Sequence, residues 1–205
     1  KASDNKIYFG ADNNSMLTKV YKYDGAQVTQ LSTLPPGASD VIQDFAEMGG
    51  NIYYGAYDPV AGGFTLVKYD GTSSTRVTSG ASAHSVAFLI ATGDSIYYFC
   101  GYFMHSQVCK YQNGTETLVP NTSSGDDQTY YLTALNGKLY YRSMDDTGSY
   151  NLYVTDGTTV TQISDLAGAG NDAVSGVMSA FGSIFFAANI DPSSVVNQHL
   201  FRYTP

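Results

Sequence analysis

Three aspartates and one histidine lie at the same distance before four aromatic segments, and their chemistry suits a ligand or metal site. Each stands twelve residues before the first residue of such a segment, and the four are Asp40, His84, Asp127 and Asp172. Carboxylate oxygens are the ligands that Ca²⁺ prefers, so Asp40, Asp127 and Asp172 predict a calcium or polar-ligand site. An aspartate in a Gly- and Ser-rich link also closes an Asx turn by accepting a backbone N–H, and this structural interpretation remains open.

Further candidate ligand contacts lie in the segments that follow the aromatic ones. Connecting loops commonly carry binding residues, and a sugar site combines apolar surface with a few placed polar groups. Most of the 18 tyrosines are equally explained by packing inside the fold. The candidates are Tyr57, Asp58, Tyr102, Asp145 and Asp146, with Phe103 and Tyr150 as further aromatic side chains.

No catalytic constellation accompanies these residues. The three histidines form no H-E-x-x-H pattern, and the chain has no G-x-S-x-G elbow, Walker loop or G-x-G-x-x-G loop. Two cysteines are too few for a four-cysteine zinc site. The sequence therefore favours a binding protein over an enzyme.

The elements that position these residues recur along the chain. The aromatic segments begin at positions 7, 52, 96, 139 and 184, so the repeat is 43 to 45 residues long. A second landmark is an Asp-Gly or Asn-Gly dipeptide, the strongest two-residue hairpin signal. These dipeptides begin at Asp24, Asp70, Asn113 and Asp156.

Four short antiparallel strands in each repeat are typical of a β-propeller blade. The aromatic strands carry large apolar residues without alternation, which is expected when both faces of a sheet are buried. We therefore predict an all-β β-propeller of about five four-stranded blades. A long β-sandwich is the alternative, but it gives no reason for a constant period. In a closed ring, the four residues from Asp40 to Asp172 would surround one mouth of the central channel.

Residues 1–205 are predicted to be a single β-propeller domain or a fragment of a larger propeller. The first repeat lacks its first strand and the last repeat lacks its fourth, so closure by five blades, by four blades, or with another chain all remain open. The chain begins at Lys1 without Met, which predicts a processed product or a piece of a longer protein.

One segment resembles a known repeat family. Residues 151–158 read N-L-Y-V-T-D-G-T, which is similar to the E-L-W-x-x-D-G-T repeat of bacterial surface and secreted proteins. An L-Y-F strand precedes that repeat, as Leu139-Tyr140-Tyr141 does here. Tyr153 stands where the family has Trp, and Asn151 where it has Glu. The resemblance implies a propeller fold and an extracellular location, and it implies no shared activity.

Composition narrows the partners and the compartment. With 10 Lys and Arg against 18 Asp and Glu the net charge is −8, which disfavours nucleic acid and anionic membranes. No apolar run reaches the ~18 residues of a membrane helix. Cys100 and Cys109 flank one loop between neighbouring strands, so we predict a disulfide across that hairpin. In other repeats a small residue stands at the first position and a large one at the second.

We therefore expect a secreted or cell-surface binding module for carbohydrate or another surface ligand, with a role in adhesion. The expected partner is a glycan or a surface protein. The absence of Trp, a favoured stacking residue, counts against sugar binding. The alternative is a structural repeat that serves as a scaffold for protein interaction.

Overall fold

The computed structural model consists of β-strands joined by turns and loops. It describes residues 4–12, 17–31, 39–60, 62–78, 85–102, 105–124, 127–164, 172–189 and 198–205, and of these the side chains at positions 40–43, 102 and 105 are left undescribed. These residues form eighteen strands. The strands are β1 (Ile7–Asp12), β2 (Thr18–Tyr23), β3 (Val28–Gln30), β4 (Ser39–Met48), β5 (Asn51–Asp58), β6 (Gly63–Tyr69), β7 (Ser74–Arg76), β8 (Ala87–Thr92), β9 (Ser95–Tyr102), β10 (His105–Gln112), β11 (Thr115–Leu118), β12 (Tyr130–Leu135), β13 (Lys138–Met144), β14 (Tyr150–Thr155), β15 (Val160–Gln162), β16 (Ser175–Ala180), β17 (Ser183–Asn189) and β18 (Gln198–Tyr203).

Within the described ranges the strands form five sheets, and each sheet is a run of consecutive strands. The sheets comprise β1–β3, β4–β7, β8–β11, β12–β15 and β16–β18. The predicted all-β fold with repeated antiparallel sheets is thereby confirmed, three of the five sheets having four strands. No helix among the described residues is long and apolar enough to cross a membrane.

The Asp-Gly dipeptides lie in hairpin loops as predicted, but these loops have four residues rather than two, since Tyr23 pairs with Val28, Tyr69 with Ser74 and Thr155 with Val160. In three sheets the aspartate Oδ1 accepts the backbone N–H groups two and three residues later, for example those of Thr158 and Thr159 on Asp156 at 2.8 and 2.9 Å. These backbone bonds lower the pKa of all three carboxyls. The following glycines have φ near +100°, a conformation that L residues avoid. The three aspartates are Asp24, Asp70 and Asp156.

Aromatic residues of β5, β9 and β13 form the core. Tyr54, Tyr98 and Tyr141 are at most 1% exposed, and so are the neighbours Tyr97 and Tyr140. Successive residues of a strand point to opposite faces, so these sheets are buried on both sides. The predicted burial of both faces is thus confirmed for these three strands, whereas Ile7 of the first aromatic segment is 53% exposed.

The chain divides into two compact units, and each has its own core cluster. Unit 1 comprises Lys1–Phe103 with Tyr111–Glu116, and unit 2 comprises Met104–Lys110 with Thr117–Pro205. In each unit the core cluster joins residues of two successive sheets. The cluster of unit 1 contains Val20, Leu31, Ile52, Tyr54, Ala56, Val67 and Tyr69. The cluster of unit 2 contains Tyr140, Leu152, Val174, Val177, Ile184, Phe186 and Ala188.

Candidate functional site: an arginine among three tyrosines

A cluster of one arginine and three tyrosines lies at one end of the fourth sheet, within unit 2. Arg142 of β13 pairs in register with Tyr130 of β12 and with Leu152 of β14. Its guanidinium carbon lies 3.8 Å from the ring centroid of Tyr150, 5.3 Å from that of Tyr130 and 5.8 Å from that of Tyr131. These distances are those of cation–π contacts. We refer to Arg142, Tyr130, Tyr131 and Tyr150 as the arginine–tyrosine cluster.

A β-bulge brings the two consecutive tyrosines to the same arginine. The register of β12 shifts between Tyr130 and Thr133, and Tyr131 has a φ of +56°. In a regular strand neighbouring side chains point to opposite faces, whereas a bulge redirects a side chain. Both rings consequently contact Arg142, and they remain 44% and 47% exposed.

The bulge recurs in the neighbouring repeat, but the arginine does not. Phe88 of β8 takes the place of Tyr131, with a φ of +54° and 48% exposure. Its ring meets the ring of Phe99 edge-on at 5.1 Å. Phe99 stands at the position in its repeat that Arg142 has in the fourth. In this sibling site an uncharged ring takes the place of Arg142, while Ala87 stands where the fourth repeat has Tyr130.

Hydrogen bonds fix Tyr150, and Arg142 retains donor capacity. The Tyr150 hydroxyl donates to the side-chain carbonyl of Gln128, and its backbone carbonyl accepts from Val174 N at 3.1 Å. The buried Nε of Arg142 makes no hydrogen bond to any described residue. An unsatisfied buried donor costs about 1–3 kcal/mol, so Arg142 has donor capacity that the described residues leave unused.

Asp145, one of the predicted ligand contacts, is used by its own loop. Its carboxylate accepts the backbone N–H groups of Thr147 and Ser149 at 2.8 and 3.0 Å and Nδ2 of Asn151 at 2.9 Å. Burial alone would raise the pKa of Asp145, but these hydrogen bonds outweigh burial and hold the pKa below its ordinary value. The loop between β13 and β14 is thus built around this carboxylate.

Asp127 and Asp146 organise the loop that precedes β12. Asp127 accepts the backbone N–H groups of Thr122 and Ser123 at 3.2 and 3.0 Å, and Asp146 accepts that of Ser124 at 2.6 Å. Burial raises the pKa of Asp127, and the hydrogen bonds offset this only in part. The bonds from Ser124 lower the pKa of Asp146. Asp127 accepts from residues four and five positions earlier in the chain, so these bonds differ from the predicted Asx turn, and the ligand role of both residues stays a prediction.

Equal spacing from the aromatic strands does place Asp127 and Asp172 at equivalent positions. The carbonyl of Asp127 accepts from Met144 N at 2.6 Å, and that of Asp172 accepts from Asn189 N at 2.7 Å. Asp172 is fully buried.

The other two members of the predicted ring fall outside what the structure describes. His84 and the side chain of Asp40 lie beyond the described groups. Among the described residues no three His, Cys, Asp or Glu side chains form a group that could hold a metal. The calcium site therefore stays a prediction.

The predicted contacts of the second and third repeats have different surroundings. Tyr57 is 40% exposed, and its ring meets Phe64 at 5.4 Å. Asp58 is fully buried, forms an ion pair with Arg76, and accepts Val60 N at 2.8 Å. Asp58 thus joins the end of β5 to β7. The Tyr102 side chain lies outside the described ones.

The predicted disulfide is confirmed: Cys100 and Cys109, the two cysteines of the chain, are both oxidised. The expected small-opposite-large pairing in the other repeats is wrong, however. In the second sheet Ala56 pairs with Thr65, while Val67 pairs with Tyr54. Ala56 and Val67, which stand where the third repeat has Cys100 and Cys109, are therefore not opposite each other. They are diagonal neighbours, because Val67 lies two residues from Thr65, the partner of Ala56, and faces Tyr54 instead.

Sequence reasoning missed Arg142, Tyr130, Tyr131 and Gln128. The sequence gives no sign that both Tyr130 and Tyr131 contact Arg142. Two adjacent tyrosines in a regular strand predict one exposed ring and one buried ring, and only the bulge places both on the same side. One signal was available. Arg142 stands at a position where the other repeats have an apolar residue or glycine, namely Gly10, Gly55, Phe99 and Ala187.

No protein-family model and no curated protein sequence matches the chain. The solved structures that resemble it include the β-propeller domain of the Trilobed protease from Pyrococcus furiosus, the computationally designed Ika8 protein, and TolB from Acinetobacter baumannii. Their TM-scores are 0.60, 0.60 and 0.54, their sequence identities are 13%, 16% and 12%, and the matches cover 97%, 99% and 91% of this chain. The chain spans 62%, 57% and 49% of those proteins respectively. At this identity the likeness shows the fold alone, which is that of β-propeller domains.

Proposed function

We propose that the protein is an extracellular or cell-surface binding module that takes a carbohydrate or another surface ligand at the loop ends of its sheets. In this proposal it forms about five propeller blades, alone, as part of a larger propeller, or with another chain that completes the ring. The observation that carries the proposal is the pair of exposed rings, Tyr130 and Tyr131, held beside Arg142.

The chemistry of the cluster suits a sugar. The C–H face of a sugar ring packs on an aromatic face, while a few polar groups fix its orientation. Tyr130 and Tyr131 supply the rings, and Arg142 and Gln128 supply polar atoms at the same end of the sheet. The chain has no Trp, so tyrosine is its largest aromatic residue and takes that part.

The disulfide supports an oxidising compartment. Disulfides persist in secreted, periplasmic and cell-surface proteins and are rare in the cytosol. The bond between Cys100 and Cys109 therefore favours a location outside the cytosol.

A glycan array tests the proposal. The labelled chain is applied with calcium and with a chelator, next to the variants Tyr131→Asn and Phe88→Asn. Both substitutions place Asn, which tolerates the left-handed conformation, at equivalent bulges. We expect the chain to bind a restricted set of glycans, Tyr131→Asn to lose this binding and Phe88→Asn to keep it. An array without bound glycans in both conditions contradicts sugar binding, and binding lost in the chelator supports the calcium site at Asp40, Asp127 and Asp172.

The alternative proposal is a scaffold for protein interaction. It is favoured by the carboxylates of Asp127, Asp145 and Asp146, which all accept hydrogen bonds from loop backbone, Asp127 and Asp145 within their own loops and Asp146 from the loop that precedes β12. Cross-linking the chain to its native cell surface and identifying the bound molecule separates the two proposals. A protein captured in equal yield by the chain and by Tyr131→Asn would support the scaffold.

A further inference from the structure

We infer that the ligand of the arginine–tyrosine cluster is a sugar that carries a single carboxylate, and that Arg142 binds this carboxylate. The inference rests on the proposed carbohydrate-binding function and deepens it by naming the chemical class of the ligand.

The positive charge of Arg142 is not paired with a carboxylate of any described residue. The ion pairs of the described residues are Lys6 with Asp4 and Arg76 with Asp58, so Arg142 has no carboxylate partner among them. Three tyrosine rings surround its guanidinium instead. Aromatic faces attract a cation but accept little hydrogen bonding. The cluster thus holds a positive charge with unused donor capacity.

The geometry of the guanidinium favours a carboxylate ligand. Its five N–H donors lie in one plane and match the two oxygens of a carboxylate. Tyr150, at 3.8 Å, is close enough to stack on the guanidinium. Stacking on a face does not block the edge formed by the two terminal Nη groups, whereas Nε is buried. A bidentate arginine–carboxylate pair is among the stronger hydrogen-bonded contacts in proteins. The cluster therefore suits a carboxylate better than a neutral hydroxyl.

The negative net charge of the chain favours a ligand with few negative charges. The chain carries a net charge of −8, which repels a densely charged polyanion over about one Debye length. The sibling site has Phe99 in place of Arg142, so the described residues there do not repeat this cation. One carboxylate on a sugar ring, with its ring face against Tyr130 or Tyr131, satisfies both conditions.

Two matched pairs of sugars test the inference by titration calorimetry with the intact, oxidised chain. Methyl glucuronide and methyl glucoside differ by a carboxylate against a hydroxymethyl group, and sialyllactose and lactose differ by the acidic sugar. The two pairs distinguish a uronic acid from a sialic acid as the source of the carboxylate. We expect the acidic member of at least one pair to bind about tenfold to a hundredfold more tightly than its neutral partner.

Variants assign that preference to the cluster. We expect Arg142→Gln to abolish the preference, Arg142→Lys to retain only part of it because lysine lacks the planar fork, and Phe88→Asn to leave it unchanged. Equal affinity of the wild-type chain for both members of each pair overturns the inference without any variant, and if Arg142→Gln does not fold, Arg142→Lys assigns the preference: a preference undiminished in Arg142→Lys counts against Arg142. Equal affinity for acidic and neutral sugars, or a preference that survives in folded Arg142→Gln, overturns the inference while the proposed function stands. A chain that binds no sugar in either assay overturns both.

Discussion

Phe181 occupies the position in the turn between β16 and β17 that Asn136 occupies in the turn between β12 and β13. Their φ angles are +48° and +53°. Asparagine visits this left-handed region readily, whereas a bulky residue pays a steric cost there. The Phe181 side chain is also 99% exposed, so no packing compensates for that cost.

Exchanging these residues is expected to move stability in opposite directions. Phe181→Asn relieves the backbone strain and raises the free energy of unfolding by about 1 kcal/mol. Asn136→Phe introduces the same strain and lowers it by a similar amount. Urea denaturation monitored by tyrosine fluorescence measures both. A Phe181→Asn variant that is less stable than the wild type would show that the ring has a stabilising contact.

The disulfide is expected to stabilise the third sheet. The loop between Cys100 and Cys109 is short, so in the chain-entropy account the bond contributes only about 2–3 kcal/mol. The double variant Cys100→Ser with Cys109→Ser should therefore have a free energy of unfolding lower by this amount, measured by chemical denaturation. Thiol titration of the denatured, unreduced protein should find no reactive thiol. Two reactive thiols per chain would rule the bond out.

The buried carboxylate of Asp58 is expected to depend on Arg76. Arg76→Gln removes the cation from a fully buried carboxylate. We expect a loss of about 2 kcal/mol, below the range for a fully buried pair because the arginine side chain is 33% exposed. Arg202→Gln, at an exposed position, serves as the control and should change stability by less than about 0.5 kcal/mol. Equal effects of the two substitutions in chemical denaturation would contradict the role of the pair.

We expect the turn aspartates to cause part of the protein's loss of stability in acid. Backbone N–H groups lower the folded-state pKa of Asp24, Asp70 and Asp156. Their contribution is therefore present above the unfolded pKa, and it is lost as the pH falls through the lower folded pKa. Replacing all three with Asn, the residue at position 113 in the third repeat, should reduce the loss of stability between about pH 5 and about pH 2. An unchanged pH profile of the denaturation midpoint would contradict this assignment.

Asp127 is expected to act in the opposite direction. Burial raises its folded-state pKa, so its contribution to stability is present below the unfolded pKa and is lost as the pH rises through the raised value. Asp127→Asn keeps the acceptor oxygen for Ser123 but has no charge to bury. The measurable difference between this variant and the wild type should therefore shrink as the pH falls. A difference that grows toward low pH would contradict this sign.

The fold was accessible from the sequence because its signals are local and repeated. The turns at Asp24, Asp70 and Asp156 require only neighbouring backbone groups. The run of large apolar residues in the aromatic strands predicts burial on both faces of the sheet. The disulfide followed from the hairpin. The sequence did not predict that the residues equivalent to Cys100 and Cys109 in the other repeats lie diagonally rather than opposite each other. Register depends on which residues face each other across a sheet.

The candidate site was harder to predict because it depends on a bulge and on tertiary contacts. Tyr130 and Tyr131 reach Arg142 together only because the β12 register shifts, and no residue type in that strand signals the shift. Tyr150 belonged to the aromatic residues that the sequence assigned to a loop end, but its stacking on Arg142 joins two different strands. Conversely, the regular spacing of Asp127 and Asp172 did indicate their common place in the repeat, where each backbone carbonyl accepts from a residue of the aromatic strand that follows in its repeat.

Hydroxyl-radical footprinting tests most directly whether the arginine–tyrosine cluster binds the ligand. The chain is labelled with and without saturating sialyllactose or methyl glucuronide, whichever binds more tightly, and modification of Tyr130 and Tyr131 is quantified by mass spectrometry. Phe88 and Phe181, which are exposed elsewhere, serve as internal references. We expect the sugar to protect both tyrosines and to leave the two phenylalanines unchanged. Protection at the phenylalanines with none at Tyr130 and Tyr131 would contradict the account.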